Sequence, residues 1–139
     1  MSGIVGHSGT GSGFLNTVGN YTPTVSRVDG APQGSPPAAQ MIGKYRTMGD
    51  VCFVNIEVAY NGFSGGSGQW YVTAPFINKG RLTGLSKARI YMSGDSADFQ
   101  LRLHANTNQI RIHTPSNDGG YSGNATYVII YASGSYIFR

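Results

Sequence analysis

A chain of 139 residues and 14.8 kDa with one cysteine can bury a single core without a metal or disulfide staple, and it is too short for two ordinary domains. Twenty-one glycines, nine tyrosines and only 12% charged residues argue against helices, whose exposed faces are rich in Lys, Glu and Arg, and for short strands joined by glycine turns. The net charge of +4 and pI near 9.4 come from scattered Lys and Arg residues that never form a run, so no focused nucleic-acid footprint is expected; a surface this sparse in charge suits contact with other subunits or neutral sugars.

Residues 1–20 are rich in Gly and Ser, with apolar points at Ile4, Val5, Phe14, Leu15 and Val18. This is too little apolar area to fold alone. The stretch reads either as a disordered tail or, the preferred reading in so short a chain, as an extended arm that becomes ordered on a neighbouring subunit through those anchors. Residues 21–139 form the body. The first residues lack the basic and apolar regions of a signal peptide and no segment reaches the ~20 apolar residues of a membrane span, so the expectation is a soluble protein made in the cytoplasm, without membrane insertion.

Tyr21–Val28 alternates as a first strand, with Pro23 confining it to an edge or a strand start. Asp29–Ala39, with three prolines and two glycines, is an exposed excursion. Met41–Thr47 leads through the Gly49-Asp50 turn into the clearest strand of the chain, Val51–Tyr60. There Cys52, Val54, Ile56, Val58 and Tyr60 share one face and Asn55 and Glu57 the other. Asn61–Gly68 reads as a glycine loop around Phe63, Gln69–Ala74 as a strand stopped by Pro75, Asn78–Ser86 as a polar connection, and Ala88–Met92 as a short strand. Ala97–His104 and Gln109–His113 alternate across Asn106-Thr107-Asn108 as a hairpin. Thr114–Asn124 is a second glycine loop, Ala125–Ala132 is apolar enough for a central strand covered on both faces, and Ser133-Gly134 reads as a final turn. Eight or nine short strands at this spacing predict an all-β, antiparallel β-sandwich or jelly-roll-like domain.

Several pieces fall in a familiar order: an SGIVG start, YTPTV where an opening G-T-W/F-T-P is common, GKYRTMGDVCFVNIEV in the pattern G-x-Y-x-x-x-G-x-x-V-x-x-x-x-x-V, and an apolar strand ending in Ala74-Pro75-Phe76 where G-L-P-F is usual. With the closing ATYVIIYASGSYIF, the chain from Tyr21 onward resembles the small β-domains of tailed-bacteriophage virion appendages, the tail-fibre or tailspike tip modules. The resemblance implies a homotrimeric virion protein without enzymatic activity, engaged in attachment to the host surface. Ala74, the Pro-rich 29–39 insertion and the lack of a long trimeric stalk depart from that pattern. The last leaves open a capsid decoration, cement or head-fibre protein that stabilises the particle. Other virion proteins and identical copies are the implied partners.

The chemistry available in the sequence is sparse. Of the six acids, Asp29, Asp50, Asp95 and Asp118 sit in apparent turns and Glu57 and Asp98 on polar strand faces, so the paired carboxylates of a glycan depolymerase are not evident. His104 and His113 could sit opposite each other on one face of the hairpin, the only metal-like pairing, and read more simply as exposed polar partners. His7 suggests nothing, and Cys52 reads as a core thiol. No cofactor, metal or catalytic residue is therefore expected. Recognition remains: the loop aromatics Phe63 and Tyr121, with Asn61, Asn117 and Asp118 beside them, form the candidate site for a cell-surface glycan, while Trp70 and Tyr71 read as core or interface residues.

Overall fold

The computed structural model describes residues 16–28, 40–63, 68–85, 90–92, 99–114, 120 and 125–139, with backbone alone for 60–63, 90–92 and 125–128. Ten strands run in order: β1 Val18–Tyr21, β2 Val25–Arg27, β3 Met41–Met48, β4 Val51–Phe63, β5 Trp70–Thr73, β6 Thr83–Gly84, β7 Ile90–Met92, β8 Gln100–Leu103, β9 Gln109–His113 and β10 Ala125–Ile137. They form two antiparallel five-stranded sheets, β1-β3-β4-β10-β7 (sheet A) and β2-β5-β9-β8-β6 (sheet B), and no α-helix occurs among the described residues. The sheets share one core, to which β4 contributes Cys52, Val54, Ile56 and Val58, while Trp70, Val72, Leu101, Leu103, Ile110 and Ile112 come from sheet B. The all-β, sandwich-like expectation is met. Pairs β4–β10, β5–β9 and β6–β8 nest inside one another, so the chain from β4 onward is folded back on itself as one ribbon.

Pairing between β1 and β3 rests on a repeated Gly-x-Tyr. The register sets Gly19 against Tyr45 and Tyr21 against Gly43, and each ring lies over the opposite glycine so closely that a Cβ there would overlap it. Tyr21 then reaches across the core to donate to the Thr73 carbonyl at 3.2 Å, tying sheet A to sheet B. Tyr45, Phe76 and Phe138 continue the aromatic row, with centroid separations of 5.0 and 4.9 Å. Tyr136 clamps Phe76 by accepting from its N–H and donating to its C=O, both at 3.1 Å, which seats the Ala74-Pro75-Phe76 segment.

Four sequence expectations are revised. The predicted first strand, Tyr21–Val28, is two strands in different sheets, because the chain changes sheet at Pro23, which cannot donate to a ladder and is itself buried. One consequence is that the arm boundary at residue 20 falls inside β1. Asn61–Phe63 belongs to β4 rather than to a loop, since β10 is long enough to pair with it through Phe63–Ala125. Ser133-Gly134 is no turn: β10 runs through it, paired with Asn55 and Val54, and Gly134 is needed because Leu85 Cδ2 lies 2.6 Å from where a Cβ would stand. Finally, β10 is central in its sheet but covered on one face only, with Ala132 and Tyr136 buried and Tyr131, Ser133, Ser135 and Ile137 exposed.

The polar connection after Pro75 is a structural element. Asn78 is fully buried; its Nδ2 donates to the carbonyls of Arg81 (2.9 Å) and Leu103 (3.3 Å), and its Oδ1 accepts from Gly80 N–H at 3.0 Å. Its backbone exchanges bonds with the β8–β9 turn through Thr107 and Asn106. Asn106 adopts φ 58°, the left-handed conformation Asn tolerates, and closes the expected hairpin.

Candidate functional site

The outer face of sheet A is unusually apolar. Its rows follow from register: Val18, Arg46, Phe53 and Ser135; then Asn20, Lys44, Asn55 and Ser133; then Ile42, Glu57 and Tyr131; and, at the other end, Met48, Val51 and Ile137. Among the described residues, the exposed large apolar side chains Val18, Ile42, Met48, Phe53, Tyr131 and Ile137 lie on this face, and only Val28, Ile77 and Leu82 lie elsewhere. The short Ser133 and Ser135 side chains beside Phe53, Lys44 and Arg46 leave an open groove of about 550 Å³. Exposed apolar side chains gathered on one sheet face, on both flanks of a polar row that carries Lys44, are the ordinary mark of a contact surface.

Outside sheet B the surface is polar. Arg102 and Arg111 are direct cross-strand partners, and Tyr71 and Ser26 extend the same row. Each guanidinium is held by a glutamine two residues away on its own strand: Arg102 Nη2 donates to Gln100 Oε1 (2.9 Å), and Arg111 Nε and Nη2 donate to Gln109 Oε1 (3.1 and 2.9 Å). His104 and His113 do share this face, as expected, but they are not opposite each other: the partner of His113 is Gln100, and His104 N–H donates to the Gln109 carbonyl. Their rings meet along a diagonal, Nε2 to Nε2 at 3.3 Å, and His113 is buried rather than exposed. Burial, and then the charges of Arg111, His113 and Arg102, hold His104 below its usual pKa. No third His, Cys, Asp or Glu joins the pair into a metal cluster among the described residues.

Asp50 and Glu57, the carboxylates among the described residues, are seven positions apart along an extended strand, about 23 Å, well beyond the spacing of a glycosidase pair. Cys52 is fully buried, and burial raises the pKa of its thiol. Burial likewise raises Tyr21 and Tyr136 far above the usual tyrosine value, so both hydroxyls remain donors. Trp70 is core, with the Arg27 guanidinium 4.1 Å from its ring centroid, and Tyr71 points outward.

Of the candidate glycan residues, Asn61 and Phe63 lie on the last residues of β4 and pair by backbone with Tyr127 and Ala125. Tyr121, Asn117 and Asp118 lie outside the described residues. Because β4 ends at the residue opposite the start of β10, the two glycine-rich stretches leave and re-enter the fold at the same end of sheet A. Gly120, bridged to His113, packs on the Gln69 side chain with no room for a Cβ. Of the arm anchors, Val18 is 76% exposed on the outer face of sheet A, and Ile4, Val5, Phe14 and Leu15 lie outside the described residues. Sequence reasoning missed the sheet A face, although Phe53 in the phase of Asn55 and Glu57 was its signal.

Comparison with known proteins gave no match to a family model, a characterised protein or a solved structure. No helix among the described residues is long and apolar enough to cross a membrane.

Proposed function

We propose that this chain is a non-enzymatic structural module of the tailed-bacteriophage virion, a jelly-roll-like homotrimer. It assembles through the outer face of sheet A and its amino-terminal arm, and it turns its loop end towards a host-surface glycan. The observation that carries the contact role is the gathering of Val18, Ile42, Met48, Phe53, Tyr131 and Ile137 on one sheet face. The occupant is another copy of this chain: the face carries two cations, Lys44 and Arg46, and a carboxylate, Glu57, with apolar residues on both flanks, so copies that turn this face to one shared axis offer cation to carboxylate and apolar flank to apolar flank. The nested pairing from β4 to β10 supports the jelly-roll reading, and the resemblance of the 21–139 sequence supports the virion setting.

Light scattering on the full chain tests this. The wild type is expected at a multiple of the 14.8 kDa chain mass, three for a trimer, and Phe53→Glu with Tyr131→Glu at a single chain mass with an unchanged far-UV spectrum. A wild type that stays at one chain mass through the micromolar range overturns the proposal.

A further inference from the structure

Sheet B presents a row that runs across the whole sheet at right angles to its strands: Ser26, Tyr71, Arg111, Arg102 and Gly84 are successive register partners. Two features of this face point to a ligand of negative charge. Like charges placed directly opposite on neighbouring strands repel, and the Arg102–Arg111 pair is such a placement. Each guanidinium is drawn back by its own glutamine, which fixes it instead of leaving it to swing into solvent.

The histidines add a second constraint. With ring planes 11° apart, centroids 5.6 Å apart and Nε2 atoms 3.3 Å apart, the two rings approach end to end and each Nε2 is aimed at the other. One proton can be shared in that contact, but two cannot. The groups facing His104 are Arg102 on its own strand and Arg111 and His113 on β9. An anion seated over the row suits both features, because it can bridge two adjacent guanidiniums and offset the charge that opposes protonation of the imidazoles.

We propose that the outer face of β5, β9 and β8 binds an acidic polysaccharide, with a carboxylate or sulfate between Arg102 and Arg111 and a sugar ring on Tyr71. Tyr71 supplies a half-buried ring directly beside Arg111, and beyond Arg102 no described residue lies within 4 Å of where a Cβ on Gly84 would stand. The cationic stretch is two strands wide, about 5 Å, which matches one acidic substituent rather than the successive phosphates of a nucleic acid. This is a glycan contact separate from the loop end of the attachment reading above; it rests on sheet B alone and stands or falls without the oligomer on sheet A.

The test is calorimetry of the full chain with polygalacturonate, dextran sulfate, neutral dextran and a single-stranded oligonucleotide. Binding of at least one acidic polysaccharide, none of neutral dextran, a loss of tenfold or more in Arg111→Gln, and no change in Lys79→Gln, an exposed cation outside both sheets, are expected. Affinity should also fall several-fold from pH 5.5 to pH 8, and in His104→Gln that pH dependence should flatten. Arg111→Lys, which keeps the charge and loses the planar fork, is the second variant if Arg111→Gln unfolds, and should weaken binding several-fold. Failure of both acidic polysaccharides to bind, binding indifferent to both Arg111 variants, or tighter binding of the oligonucleotide would overturn the assignment, while the chain mass in solution would separately report on sheet A.

Discussion

Replacing Gly43 by alanine puts a methyl group where the Tyr21 ring now lies. Gly43 is not at positive φ, so the backbone tolerates alanine and the unfolded chain loses entropy, a gain of about 0.4–1 kcal/mol. Against this stand about 1–3 kcal/mol for overpacking and about 0.5–1.5 kcal/mol for the Tyr21–Thr73 hydrogen bond lost when the ring is displaced. The terms together span about 0.5–4 kcal/mol and centre on a net cost of about 2 kcal/mol, or roughly 6–8 °C in melting temperature for a chain of this size. Circular dichroism melts of Gly43→Ala, Tyr21→Leu and the double variant measure it. With the ring gone the methyl group has space, so the double variant should be more stable than the sum of the singles by about 1 kcal/mol or more. Additivity within about 0.5 kcal/mol, or a Gly43→Ala variant as stable as wild type, would refute the reasoning that the ring is what makes glycine necessary.

Asn78→Ala should cost about 2–4 kcal/mol in urea unfolding, because it strands one buried N–H and two carbonyls together. His104 has its pKa held below the usual value near 6.5. The unfolded chain therefore binds the proton more readily, and the stability contributed by neutral His104, present above that value, is lost as pH falls through the lower folded one. Melting temperature should fall between pH 7 and pH 5, less steeply in His104→Gln. Deleting residues 1–15 spares β1 and should leave the melting temperature within about 2 °C while abolishing incorporation into particles; deletion through residue 20 would remove the strand that pairs with β3. Alanine at Phe63 and Tyr121 should weaken cell binding without unfolding the chain, and unchanged binding would remove the loop-end assignment.

What the sequence made legible was whatever obeys a period of two. The inward phase of Cys52, Val54, Ile56 and Val58, the Gly49 turn at φ 58°, and the β8–β9 hairpin all followed from local pattern. What failed were places where a partner decides. Gly134 looked like a turn residue, yet its role is to admit Leu85 into the core. Gly62 looked like the start of a loop, yet β10 carries β4 through it. Pro23 marked an edge, and the change of sheet it permits depends on Thr24 finding Thr73, with N–H to Oγ1 at 2.9 Å. A signal was present for β1: the paired Gly-Asn-Tyr and Gly-Lys-Tyr triplets read as complementary once set antiparallel. The histidine contact was not legible, because it runs diagonally and depends on how both rings lean over the arginine row.

The most direct test of the account is a density map of the assembled oligomer or particle in which this chain can be traced. The account predicts that Ile42, Phe53 and Tyr131 are covered by a neighbouring copy, while the end of sheet A where β4 stops and β10 begins faces outward. A map in which that sheet face is bathed in solvent and the loop end is the buried one would contradict it.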